Sequence, residues 1–379
     1  MMIKPETASC IELQNISKSF DGKLVLNSIT LQIPFNSYFC ICGPTGSGKS
    51  TLLRIIAGLE NPDSGEIIIN QQLVNNIPAE DRGIGMLFEH QTYALFPHYS
   101  IYENVIYGPR VRGESSDETK KIAAEMLELV LLADRAHDLP GVMSGGMKQR
   151  VALARALMTG SNIILLDEPL GALDAKIRLN LRKELVNMVK SLGDLTIIHV
   201  TQDIEEALMV SDYIAVLFFG NILQMGPPED LYNNPNSIEV CNFLSKANFF
   251  EGTVIEQFTE QTGEFSIIQI PTGKIRVHKP HQSIGSKIVL AIRASDIRLQ
   301  KQNTTDSNQL IGRILRQQFI HGMIRYEVEL SNNQVIVTTQ PYDPEHTLEE
   351  NTEVRIIFSP ECPLIFPYPE KPLEEIIRD

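Results

Sequence analysis

The nine residues GPTGSGKST, Gly43 to Thr51, decide how the chain is read. They follow the apolar run SYFCIC and open the segment KSTLLRIIAGL, in which Leu52, Ile55, Ile56 and Leu59 recur at helical spacing. The order strand, glycine-rich turn, helix is what gives the motif physical content. Glycines permit a tight turn that aims backbone N–H groups inward. The helix start adds partial positive charge, so the loop suits phosphate oxygens. Gly43, Pro44, Thr45, Gly46, Ser47, Gly48 and Thr51 are the expected cradle. Lys49 is expected to reach the β- and γ-phosphates of a nucleotide, and the Ser50 hydroxyl to hold Mg²⁺.

Working outward, the 379 residues suffice for two or three domains. The formal net charge of −14 favours solubility and argues against broad contact with nucleic acid or anionic lipid. No run approaches the ~20 apolar residues that span a bilayer. The longest candidate, Tyr213 to Phe219, has a strand's length. The N-terminal MMIKPETASC lacks the apolar core of a signal peptide. A soluble, intracellular protein is the expectation. The five cysteines, Cys10, Cys40, Cys42, Cys241 and Cys362, are dispersed and odd in number, which fits a reducing compartment better than a disulfide framework. Cys40 and Cys42 alternate within YFCICG and read as strand residues sharing a face.

Over the first ~240 residues short apolar runs alternate with helical patterns, an α/β signature. EIIIN, NIILLD, LTIIHV and YIAVLFF read as strands. SDETKKIAAEMLELVLL reads as an amphipathic helix with Ser116 as N-cap and Ile122, Met126 and Leu127 inward. From about Asn248 the pattern turns to period two broken by turns, as in EFSIIQIPTGKIRVH and MIRYEVELSNNQVIVTT. That predicts a small all-β module with a hairpin at LSNNQV. The tail YPEKPLEEIIRD is polar and is expected to be loosely held.

Two further segments carry chemistry. NIILLDEP ends a strand in adjacent carboxylates: Asp167 is placed to bind magnesium through its water shell, and Glu168 to polarise an attacking water as general base. In VMSGGMKQRVALARAL, Ser144 is a good N-cap, and Gly145 and Gly146 leave the next helix start bare. A bare helix start is an anion site. The chain thus offers two phosphate-binding helix ends about a hundred residues apart. Two copies arranged head to tail would each lend Ser144 to the other's nucleotide.

The phosphate loop, the SGG segment, LLDEPLGALD and HVTQD, in this order and spacing, resemble the ABC-type ATPase family over roughly residues 8 to 240. The resemblance implies an α/β P-loop NTPase fold with a helical subdomain at about 95–160. It also implies a homodimer that sandwiches two ATP molecules between phosphate loops and opposing SGG helices. Phe20 in SKSF would stack on adenine, though it also reads as a plain strand-end core aromatic. Gly171 to Asp174, GALD, would link the two sites, with Asp174 at the nucleotide. The β module, 248–367, resembles the OB-like regulatory domain of importer ATPases through LSKANFFEGTV, AIRASDI and GRILRQQFIHGMIRYEVEL.

The whole chain then resembles the motor subunit of a polyamine, sugar, oxyanion or ferric-iron importer. Such a subunit would sit at the cytoplasmic face of the membrane, against integral permease subunits and indirectly served by an extracytoplasmic solute-binding protein. QTYALFPHYSIYENVIYGPR resembles the permease-gripping segment. Tyr93, Leu95, Phe96 and Tyr99 would then form an apolar groove, or else pack the helical subdomain.

Three departures stand out. Where the family has VTHD, this chain has Gln202, which can donate an N–H to a phosphate oxygen but carries no charge. His199 lies three residues upstream, inside the strand, and reads as a core histidine. Met147 stands where glutamine is usual. The sensing glutamine, a second metal ligand, is assigned to Gln91, with Glu89 as the alternative. Two other functions remain open, a slow-turnover ATP-binding regulator and a soluble ABC-type ATPase outside transport. RNA binding by the β module is disfavoured, because from residue 241 on 18 acids face 14 bases.

Overall fold

In the computed structural model, which describes residues 9–88, 94–114, 116–171, 175–192, 194–278, 282–301, 308–344 and 347–377, the first long alternation of apolar residues forms a hairpin. Ile11, Leu13 and Ile16 of β1 (Ser9–Phe20) and Leu31 and Ile33 of β2 (Lys23–Pro34) are buried and pair antiparallel. Next come β3 (Tyr38–Cys42), α1 (Lys49–Ala57), β4 (Ser64–Ile69), β5 (Gln72–Leu73) and β6 (Ile84–Leu87). Four helices follow: α2 (Ile101–Val105), α3 (Tyr107–Val111), α4 (Asp117–Leu129) and α5 (Gly145–Leu157). The chain returns through β7 (Ile163–Asp167), α6 (Ala175–Leu192), β8 (Thr196–Thr201), α7 (Ile204–Val210), β9 (Tyr213–Phe218), β10 (Asn221–Gly226) and α8 (Pro228–Asn233).

These elements make one unit, Met1–Asn234. Its antiparallel sheet runs β2-β1-β4-β5, and its second sheet runs β10-β9-β3-β8-β7-β6. The second sheet is parallel from β9 to β6. Strands β3, β7 and β8 are buried at every position, as strands covered on both faces must be. Leu52, Leu53, Ile55 and Ile56 of α1 pack into one core with Ile11, Leu13, Phe39, Leu165 and Ile198. Because β3, β8 and β7 are adjacent and in register, with Cys42 opposite Thr201 and Asp167 opposite Val200, the segments leaving their C-terminal ends converge. That edge is where open α/β sheets bind ligands.

The second unit, Pro235–Asp379, contains α9 (Ile238–Ser245), β11 (Asn248–Glu260), β12 (Gly263–Ile270), β13 (Gly273–His278), β14 (Lys287–Ile292) and β15 (Arg298–Gln300). It continues through β16 (Gln309–Ile320), β17 (Met323–Leu330), β18 (Val335–Pro341), β19 (Glu353–Ile357), β20 (Leu364–Pro367) and α10 (Leu373–Ile377). Two antiparallel sheets, β13-β12-β11-β14-β20 and β15-β19-β16-β17-β18, contribute to one core around Val254, Ile268, Leu290, Tyr326 and Ile356. The expected α/β core followed by an all-β module is what the chain forms.

Three local expectations need correction. Leu59 is not on the buried face of α1. The helix stops at Ala57 with Gly58 in the left-handed conformation (φ +81°), and Leu59 is 49% exposed. In α4 the inward stripe is Ala123, Leu127 and the following Val130, at i, i+4 and i+7, so Ile122 faces out at 41% exposure. Nor is the tail loose: Leu373 of α10 is buried against Ile238, Cys241, Phe249 and Phe366.

Candidate active site

The start of the phosphate loop is forced by its surroundings. A Cβ on Gly43 would lie 1.9 Å from the Leu217 carbonyl oxygen, so no larger residue fits as the loop leaves β3. At Gly48 φ is +102°, a conformation closed to most L-residues, and an added Cβ would meet Leu26 at 2.7 Å. Gly48 is also the N-cap of α1, and no side chain caps this helix, so its first N–H groups face the loop. Lys49 is buried, and its Nζ donates to the carbonyls of Gly43 at 2.8 Å and Pro44 at 2.9 Å. Those bonds hold the ammonium inside the loop.

Residues distant in sequence meet here. Ser50 Oγ donates to Asp167 Oδ1 at 2.9 Å, across 117 residues. Asp167 is 1% exposed, at the end of β7. Glu168 follows with φ +47°. Its Oε1 accepts the Gln202 backbone N–H at 2.9 Å, and Thr45 Oγ1 donates to Gln202 Oε1 at 2.9 Å. Thr45, Gly46, Gly48, Lys49, Ser50 and Thr51 line a cavity of about 330 Å³ together with Val25, Glu168 and Gln202. A larger cavity of about 610 Å³ lies among α2, α3 and α4, lined by Tyr102, Ile106, Arg110 and Lys120, and carries no glycine loop. The smaller one has the chemistry.

Residues 26–171 match the family described as ABC transporter. The spermidine/putrescine import ATP-binding protein of Vibrio cholerae serotype O1 is 34% identical over 349 residues, covering 91% of each chain. The chain belongs to the ABC transporter family. The protein of the same name from Salmonella typhi is 37% identical over 350 residues, covering 90% of this chain and 91% of its own. The Fe(3+) ions import ATP-binding protein of Agrobacterium fabrum is 36% identical over 348 residues, covering 92% and 95%. A solved dimeric post-hydrolysis state of the ATP-binding cassette MJ0796, bound to ADP and Pi, superposes with TM-score 0.52. It is 30% identical and covers 57% of this chain and 98% of that one. This ABC protein is therefore an importer-type ATP-binding subunit, binds ATP and is an ATPase.

In this ABC subunit two further expected residues among those described, Ser144 and Phe20, do not line the loop cavity. Ser144 caps α5, its Oγ accepting the Met147 N–H at 3.3 Å, and it is not among the residues lining the loop cavity. Gly145 is exposed, and a Cβ there would meet nothing within 4 Å, so apart from the Ser144 cap the start of α5 carries no covering side chain at that position. Met147 is engaged with Arg135, whose Nη1 lies 3.4 Å from its sulfur. Phe20 is 42% exposed at the end of β1 with the Lys18 ammonium 5.1 Å from its ring, and it too lies outside the cavity lining. Gln91, Glu89, Tyr93 and Asp174 lie outside the described residues. Of the groove residues, Leu95 is buried, and Phe96 packs on Tyr99 and Tyr107 with centroids 5.5 and 4.4 Å away.

Sequence reading placed His199 in the core, as it is, but passed over the rest of the polar layer behind Glu168. Thr201 Oγ1 lies 3.1 Å from Glu206 Oε2 and 3.4 Å from Glu168 Oε2, so its single proton serves one carboxylate at a time. Arg182 of α6 reaches Asp203 at 3.3 Å and Glu206 at 3.8 Å. Burial pushes the Glu206 carboxyl up, and Arg182 pulls it back. His199 is fully buried, with Tyr38 Oη 3.1 Å from its Nδ1. Burial, helped by the Arg182 charge, pushes it down to about 3, so the imidazole stays neutral. The signal for this layer was present: three polar residues, His199, Thr201 and Glu206, fall within one apolar strand and the helix that follows it.

Proposed function

We propose that the chain works as a homodimeric, ATP-hydrolysing motor on integral membrane permease subunits at the cytoplasmic face of the membrane, driving uptake of a small solute. The observation that carries this reading is the convergence of Lys49, Ser50, Asp167, Glu168 and Gln202 around one loop. In the proposed cycle the loop N–H groups and Lys49 bind the triphosphate. Glu168 takes the proton from the attacking water, and Gln202 donates its amide N–H to the transferring group. The Ser50 hydroxyl and Asp167 carboxylate, 2.9 Å apart, form a hard oxygen donor pair that fits Mg²⁺, with Gln91 as the further ligand. Bound there, the ion would neutralise charge on the β- and γ-phosphate oxygens.

Ser144 with Gly145 and Gly146 is proposed to bind the γ-phosphate of the ATP held by the other copy. Phe20 is proposed to stack on adenine and Asp174 to join the two sites. The β module, 248–367, is proposed as a regulatory domain. The named relatives, two for spermidine/putrescine import and one for Fe(3+) import, support a cationic cargo, with a polyamine as the proposed solute.

Glu168→Gln is expected to lower ATP turnover by about 10²- to 10⁴-fold while ATP binding persists. Unchanged turnover would remove Glu168 from the base role. Loss of labelled spermidine uptake, with ferric uptake intact, on deleting the subunit is the expected cargo result, and the reverse pattern would assign iron. Gln202 favours a second reading, a slow-turnover subunit, because an uncharged amide stabilises less charge than an imidazolium.

A further inference from the structure

The conformation of Glu168 needs a cause. Its φ of +47° is one that a non-glycine residue adopts only when its surroundings hold it. Three hydrogen bonds fix its backbone. The N–H donates to Val200 O at 3.0 Å, and the carbonyl accepts from Gly171 N at 3.4 Å and from Gln149 Nε2 at 3.0 Å. The first ties the end of β7 to its neighbour β8, and the second closes the turn that follows. The third comes from a helix, α5, and from a side chain only 2% exposed. Gln149 Oε1 is buried and finds no hydrogen-bond partner among the described residues, so the amide lies in this spot with one of its two ends unrewarded.

Gln149 lies five residues beyond Ser144 on the same helix. Its neighbours at i+3, i+4 and i+7, Ala152, Leu153 and Ala156, are buried, so the helix seats as a rigid body and Gln149 moves when the Ser144 end moves. We propose that Gln149 is a positioning residue that holds the Glu168 backbone in its left-handed conformation and couples the Ser144 helix end to the carboxylate of the same copy. This rests on the reading of Glu168 as the base and of Ser144 as the contact to the other copy's ATP. Gripping ATP across the dimer through Ser144 thereby sets the base in the gripping copy, so the two sites fire together. Gln149 touches neither water nor nucleotide in this scheme; it acts through Glu168.

The test compares purified full-length wild type, Gln149→Met and Gln149→Asn. The first keeps the shape and removes the donor; the second keeps the amide and shortens its reach. Both are expected to lose about 10- to 100-fold in kcat, the scale of a misplaced catalytic group, with KM for ATP within about threefold and the Hill coefficient for ATP falling toward one. An unchanged kcat and Hill coefficient in both variants, with Glu168→Gln inactive, would overturn the tether and leave the base reading standing. Loss of ATP binding in step with kcat would also overturn it, since that marks Gln149 as part of the packing only. Full turnover in Glu168→Gln would remove the base reading itself.

Discussion

Gln202 stands where the resemblance to ABC-type ATPases implies a histidine. Its backbone N–H is committed to Glu168, and its side-chain oxygen accepts from Thr45. The amide N–H₂ is left as the group that can address a phosphate. Gln202→His keeps the backbone bond and supplies a group able to carry charge. Turnover is expected to rise by roughly tenfold, measured as kcat of the assembled transporter. A variant no faster than wild type would show that position 202 does not address the transferring group. Lys49, Ser50, Asp167 and Glu168 are legible in the sequence because they fall in two contiguous motifs, GPTGSGKST and NIILLDEP, each read from the strand that leads into it. Gln149 is not, because its partner is the Glu168 carbonyl, 19 residues on, and a backbone acceptor leaves no mark in residue types.

Elements are held by buried polar anchors that periodicity does not reveal. Asn104 of α2 is 0% exposed. Its Oδ1 accepts from Phe96 N, and its Nδ2 donates to the carbonyls of Phe96, Tyr99 and Ser100 at 3.0–3.1 Å. Asn104→Ala strands those groups, and chemical denaturation is expected to show a loss of about 2 kcal/mol. Arg82 does similar work for α1, donating through Nη1 to Ile55 O and Ile56 O at 2.9 Å where the helix ends. The apolar stripes of α1 and α4 are readable. Their ends are not, because Leu59 and Ile122 look like their buried neighbours and only Gly58 and the stripe's phase decide which way they face.

Strand β8 carries a pH dependence. His199 is held at about 3 by burial, against an ordinary value of 6.5. The unfolded chain therefore takes up the proton first, so this contribution is complete above about pH 6.5 and is lost as the pH falls toward 3. Glu206, raised from 4.5 by burial, acts oppositely: its contribution is present below that value and lost as the pH rises through its folded one. His199→Gln isolates the histidine. Between pH 7 and pH 5 the wild type is expected to lose about 2 kcal/mol more stability than the variant in urea titrations. Parallel losses would show that His199 is not held neutral.

For the whole molecule, the α/β unit and the all-β unit follow from a change of hydrophobic period that the sequence displays openly. Among the described residues, the phosphate-loop cavity is not lined by Ser144. In the proposed dimer the loop of one copy and the Ser144 helix end of the other complete each nucleotide site. Heterodimers on a Glu168→Gln background test this directly, with occluded ATP per dimer as the readout. Placing Lys49→Ala on one copy and Ser144→Arg on the other leaves one composite site whole, so one ATP is expected. Placing both changes on the same copy damages both composite sites, so none is expected. The opposite pattern, one ATP when both changes share a copy and none when they are split, would mean that each site is built within a single chain and would contradict the account.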